Sequence, residues 1–152
     1  MYQRDRPIQP DFAVEETLYL RYLAAHFVGE NLRPEAIRFT KTSVNRGSLS
    51  QPEDVLFDEG GKYNGLGAVE FLVSDVLGVV EQPNGPPYDF FMRHMPFENN
   101  YSHSEIWCDS VPATGDYKEP SRTVKAEFRI RLCQRIGRGS IRIEAVENRA
   151  SA

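Results

Sequence analysis

"SRTVKAEFRIRLCQRIG", residues 121–137, is the stretch on which the fold turns, because two periodicities run through it at once. Val124, Ala126, Phe128, Ile130 and Leu132 alternate as in a half-buried strand, whereas Val124, Phe128, Leu132 and Ile136 form an i, i+4 stripe as on one side of a helix. Ser121 stands where an N-cap would accept an orphan N–H, and Gly137 where a helix end favours a residue without Cβ. The length and the Arg, Ala, Glu, Lys and Leu between them suit a helix. We read residues 122–136 as a helix presenting Arg129, Arg131 and Arg135 to solvent, with a strand presenting the same arginines as the alternative.

Around this stretch the signals are mostly those of strands. "SIRIEAV" (140–146) alternates as a last strand, and "YDFFMRH" (88–94) places Tyr88, Phe90, Met92 and His94 on one side. "HSEIWC" (103–108) sets Ile106 and Cys108 opposite His103, Glu105 and Trp107, so these two segments are expected to pair through the connection 95–102. "GAVEFLV" (67–73) puts Val69, Phe71 and Val73 on one face, in a strand expected to continue into "VSDVLGVV" (73–80). "TLYLRY" (17–22) fits strand or helix by pattern, and we favour strand. In "SLSQPEDVLF" (48–57), Ser50 and Glu53 have capping-box spacing and Pro52 suits a first turn, predicting a short helix stopped by Gly60-Gly61. The sum is an α+β chain: one compact domain over residues 1–152, mainly antiparallel sheet with two or three helices, and frayed at 1–12 and 147–152.

Composition agrees with one core. A chain of 152 residues, 40% hydrophobic, is the size of an ordinary domain. Its apolar runs are broken well short of the roughly 20 residues a membrane span needs, and "MYQRDRPIQP" lacks the apolar centre of a secretory signal. We therefore expect a cytoplasmic protein without a membrane partner. Cys108 and Cys133 are too few for a disulfide framework and lack zinc-site spacing, which suggests free thiols.

The net charge of −4 conceals a split. Residues 1–50 carry seven Lys/Arg against six Asp/Glu, residues 51–116 two against twelve, and residues 117–152 nine against four. The acidic middle repels a phosphate backbone, while the basic residues within 118–142 could attract nucleic acid. Alternatively, the two parts face each other within the fold or across a homo-oligomer.

Candidate chemistry gathers in "HMPFENNYSHSEI" (94–106). On a strand His103 and Glu105 project from one face, about 7 Å apart, and could share a water, a phosphate or a divalent metal. His94 ends the preceding strand. A histidine on its apolar side is ordinarily a hydrogen-bonded core residue, and the alternative role is a catalytic acid complementing His103 as base. Asn99, Asn100 and Tyr101 are candidate binding residues beside the histidines, with the alternative that the asparagines only form a turn and the tyrosine anchors the loop. Upstream, "KTSVNRGSLS" (41–50) brings Lys41, Arg46 and Ser48 beside the helix start expected at Ser50, where an anion could bind. There is no HExxH, GxSxG, Walker A or GxGxxG pattern.

The pairing of "SVNR" (43–46) with "PFENNYSHSEI" (96–106) resembles small uncharacterised prokaryotic domains in which an "LSV-x-R" segment precedes "P-x-x-N-x-x-H-x-x-I", although "TSVNR" lacks the leading leucine. The resemblance spans residues 17–106 and implies no activity. It does imply that Arg46, Asn99 or Asn100, and His103 share one site. Two functions are expected from these features. The first is a non-catalytic accessory or binding module that docks a partner protein or a second copy. The second is a small histidine-dependent phosphodiester hydrolase, acting for example on RNA, with His94, His103 and Glu105 catalytic, Arg46 binding phosphate, and His103 with Glu105 as metal ligands.

Overall fold

The computed structural model describes residues 11–38, 42–57, 66–117 and 119–145, and within it the 121–137 stretch is a helix. Ser121 Oγ accepts the Val124 N–H at 3.3 Å, and Val124, Phe128, Leu132 and Cys133 are buried along one stripe. In chain order the elements are β1 (Thr17–Tyr22), β2 (Phe27–Val28), β3 (Asn31–Leu32), β4 (Thr42–Arg46), β5 (Gly67–Leu72), α1 (Val73–Val76), β6 (Gly78–Val80), β7 (Tyr88–His94), β8 (His103–Ser110), α2 (Arg122–Arg135) and β9 (Ile141–Ile143). Seven strands form one antiparallel sheet in the order β6-β7-β8-β4-β1-β5-β9, and β2 and β3 form a small separate hairpin. The chain is the expected α+β domain.

Alternation along the strands divides the sheet into two unlike faces. Leu18, Leu20, Val44, Val69, Phe71, Phe90, Met92, Ile106 and Cys108 share the core face, which α2 covers with Val124, Phe128, Leu132 and Ile136. Phe90 and Phe128 stack there with ring centroids 4.0 Å apart and planes 2° from parallel. On the opposite face a 3-10 turn, Pro52–Leu56, packs on β1, β4, β5 and β9.

Two expectations about this frame are corrected. The strand "GAVEFLV" does not run on: it ends at Leu72, and Val73–Val76 form one helical turn whose start is held by the Leu72 N–H donating to Asp75 Oδ2 at 2.8 Å. Val73 and Val76, three apart, both reach the core this way, which a continued strand would not allow. The turn after Ser50 is 3-10 and begins at Pro52, because Asp54, not Glu53, reaches back to the preceding backbone, taking the Gln51 N–H at 2.8 Å. Ser50 Oγ instead donates to the Arg46 carbonyl at 2.7 Å. Lys41, Gly60-Gly61 and the segments 1–10 and 146–152 lie outside the described residues. Asp11 and Phe12, expected to be frayed, are in place, with Phe12 packed on the core.

The basic C-terminal third is largely engaged inside the fold. Lys125 pairs with Glu119 and Arg142 with Glu70. Arg131 and Arg135 donate to the Val76 and Asp75 carbonyls at 3.0 and 2.7 Å, where cations complement the C-terminal end of α1. Arg138 donates to the Gly29 carbonyl at 2.9 Å. Of these bonds, the Arg142–Glu70 pair joins the basic third to the acidic middle directly, and those of Arg131, Arg135 and Arg138 tie arginines to backbone carbonyls. No described helix is long and apolar enough to cross a membrane.

Candidate functional site

The register places the sequence-expected site residues around one end of β4, β7 and β8, but on both sides of the sheet. His94 lies opposite Ser104, and Ser104 opposite Val44, so all three share the core face; Arg46 pairs with Leu18 and lies there too. His103 pairs with Asn45 and Glu105 with Ser43 and Arg93, on the other face. His103 and Glu105 do share a face, as strand geometry requires, but Arg46 and His94 are separated from them by the sheet itself. The four do not converge on one cleft.

On the core face, Arg46 is held rather than presented. Its Nε and one terminal nitrogen donate to the two oxygens of Glu16 at 2.8 and 2.7 Å, another bond runs to the Asp11 carbonyl at 2.8 Å, and the guanidinium lies 3.9 Å above the Phe12 ring. Ser48 Oγ donates to the same carboxylate at 2.7 Å. Bidentate geometry makes this a strong charge-assisted pair. The cation expected to take a phosphate is therefore neutralised by a carboxylate, and Ser48 serves that carboxylate. Burial alone would raise the Glu16 carboxyl, yet the bonds from Arg46 and Ser48 hold it below its ordinary value.

Beside this pair sits His94. Its Nδ1 is 3.5 Å from Ser104 Oγ, Tyr101 meets its ring edge-on at 5.3 Å, and its buried Nε2 finds no partner among the described residues. Burial, then the Arg46 cation, lower its pKa; Glu16 opposes them and His103 adds to them. A histidine that resists protonation when folded couples stability to pH. The unfolded chain takes up a proton near pH 6.5 and the native chain only below that. Stability is thus expected to fall as pH drops from about 6.5 toward the lower native value. Urea midpoints at about pH 7.5 and 5.5, for wild type and His94→Phe, test this, since the variant should lose a clear part of the drop; an equal drop in both would refute it.

On the second face, His103 acts as a staple. With a carbonyl as partner, its Nδ1 must donate, and it does so to Met95 at 2.7 Å while the Met95 N–H donates to the His103 carbonyl at 3.0 Å. Phe97 stacks on the imidazole at 4.0 Å. Asn100 Nδ2 donates to Asn45 Oδ1 at 2.9 Å and Asn100 Oδ1 accepts from Ser102 at 2.7 Å. Phe97 and Asn100 exchange backbone bonds around an exposed tip at Asn99, and Tyr101, 7% exposed, anchors the loop. The stretch is built as a folded loop. Glu105 accepts the Trp107 indole N–H at 2.9 Å. Among the described residues no group of three or more His, Cys, Asp or Glu is placed to hold a metal, so the ligand set expected from His103 and Glu105 gains no third donor. Both thiols are buried, which pushes Cys108 up to about 12 and Cys133 up to about 11, far from a nucleophile's range.

Further along the second face is a cluster the sequence reading did not assemble. Arg93 lies between two rings, its guanidinium 4.5 Å from the centre of Trp107 and 4.8 Å from that of Tyr117. Tyr117 meets Trp107 edge-on at 5.3 Å and Phe91 at 5.9 Å. Tyr117 adopts a φ of 51°, left-handed backbone that a side chain with Cβ rarely takes. Buried Asp109 gathers the N–H groups of Ser110, Thr114 and Gly115 and the Thr114 hydroxyl at 2.8–3.1 Å. Phe91, Arg93, Glu105, Trp107 and Tyr117 are all partly exposed, Asp89 is exposed, and Val79 on the same face of β6 is 51% exposed. Alternation on β7 and β8 placed Phe91, Arg93 and Trp107 on one parity; the return of Tyr117 across a long loop carried no sequence signal.

Compared with protein-family models, with curated proteins and with solved structures, the chain matches none.

Proposed function

We propose that this chain is a non-catalytic binding module, and that its contact face is the part of the second sheet face formed by β6, β7 and β8. The observation that carries this reading is the partly exposed Phe91, Arg93, Trp107 and Tyr117 cluster, held in place by Arg93 between two rings. Trp, Tyr and Arg are enriched among the residues that dominate protein interfaces, and the two aromatics bury large area at small entropic cost. The chain reaches Tyr117 through a turn whose Thr114 and Gly115 N–H groups donate to Asp109. The hydrolase reading draws no support from this geometry, since Arg46 is occupied by Glu16 and the two histidines lie on opposite faces.

A photoreactive benzoylphenylalanine in place of Val79 tests the proposal in cells. A discrete protein adduct is expected from that position and none from the same group in place of Ile130, which is exposed on α2 behind the sheet. Adding Tyr117→Ala should weaken capture by on the order of thirtyfold, the scale of an aromatic hot spot. Adducts at Ile130 alone, or at neither position, would remove the basis for the reading.

A further inference from the structure

Resting on that reading, we propose that the partner's contact segment is basic, a stretch of a second protein whose arginine or lysine side chains stack on the exposed sides of this aromatic cluster. Two observations point the same way. The first is chemical: the rings already accept a guanidinium, because Arg93 lies 4.5 and 4.8 Å from Trp107 and Tyr117, within cation–π range. The site is thus shown by the chain's own side chain to suit a planar cation. The second is electrostatic. Residues 51–116 carry twelve acidic residues against two basic ones, and of the charged residues on β7 and β8 only Arg93 is positive. That one cation is covered by rings, while Asp89 is exposed at the edge and Glu105 partly exposed beside Trp107.

Asp89, Phe91 and Arg93 share one side of β7, and opposite them on β8 stand Asp109, Trp107 and Glu105. The middle of the patch is therefore aromatic, with the exposed Asp89 carboxylate on one flank beside buried Asp109 and, on the other, partly exposed Glu105 opposite the ring-covered Arg93. A basic segment would meet ring faces at the centre and carboxylates at the flanks, whereas a nucleic acid strand would meet the rings but be repelled by the flanks. This is why the aromatic cluster is assigned to a basic protein segment. The basic side of α2 in a second copy is the competing occupant, and self-association would reveal it.

The chain contains one tryptophan, so intrinsic fluorescence reports Trp107 alone. The probes are an arginine-rich peptide of about twelve residues, long enough to span a few strands, its glutamate counterpart, and oligouridine. A saturable change with the basic peptide alone is expected. It should weaken about tenfold in Asp89→Asn/Glu105→Gln, where one exposed and one partly exposed charge are lost, and in Tyr117→Ala. Glu15→Gln/Glu35→Gln, which makes the same change in net charge at exposed positions outside β6, β7 and β8, should bind like wild type. Far-ultraviolet circular dichroism confirms that each variant folds. The inference is overturned if the two double variants weaken binding equally, if oligouridine is the probe that binds, if Trp107 responds only to protein concentration, or if the basic peptide leaves it unchanged. A Val79 adduct without peptide binding would overturn the basic-partner inference while leaving the binding-module reading intact.

Discussion

Arg46→Ala is expected to destabilise the domain by about 3–5 kcal/mol, the loss seen when one member of a buried ion pair is removed. The side chains of Arg46 and Glu16 are only 4% and 9% exposed, and they meet through two bonds of 2.8 and 2.7 Å. Deleting the guanidinium leaves a carboxylate in a dry site with Ser48 as its remaining donor, and strips the Phe12 ring of the cation stacked on it. The loss should be largest near neutral pH. Glu16 titrates below its ordinary value in the native chain, so the pair's stabilisation is present above the unfolded carboxyl value and is lost as pH falls through the lower native one. Denaturant unfolding of Arg46→Ala, of Glu16→Leu/Arg46→Met and of wild type measures this. The double variant, which removes both charges and refills the volume, should recover much of the loss. A drop below about 1 kcal/mol for Arg46→Ala, the value of an exposed pair, would mean that the site is wet.

That same pair shows why the expected site was only partly legible. Sequence alternation correctly assigned the parity of each residue on its own strand: His94 with Phe90 and Met92, His103 with Glu105 and Trp107. What it lacked was register. Because side chains alternate with period two, bringing His94 opposite Ser104 puts the two histidines on opposite faces, and a shift of one residue would have united them. The resemblance that grouped Arg46 with His103 met the same obstacle, since Asn45, not Arg46, is the residue across from His103. Even so, the Arg46 N–H donates to the Ser102 carbonyl at 2.9 Å, so the segments are neighbours through the backbone. The missed α1 has a related cause. Val73 and Val76 satisfy a helical spacing as well as an apolar run does a strand, and the decisive Asp75 cap is a single residue. Capping at Ser121 was legible because the stripe behind it repeats from Val124 through Phe128 and Leu132 to Ile136.

The reading of 121–137 makes the second large effect a direct test of the fold. Phe128 and Phe90 are both 0% exposed, stacked at 4.0 Å between α2 and the middle of β7, and Arg131 lies 5.4 Å from the Phe128 ring centre. Phe128→Ala is expected to cost about 3–5 kcal/mol, combining the lost transfer energy of the ring with the cavity it leaves. A strand through the same residues would predict this too, because Phe128 is apolar in both patterns. Ile130 separates them. In a strand it would point with Phe128 into the core, and truncating it would cost about 2–5 kcal/mol; on α2 it is 43% exposed, and Ile130→Ala should change stability by no more than about 0.5 kcal/mol. Urea midpoints of the two variants therefore decide together. A large loss at Phe128 with almost none at Ile130 is the signature of the i, i+4 stripe, and comparable losses at both would reject the helix and with it the covering of the core face.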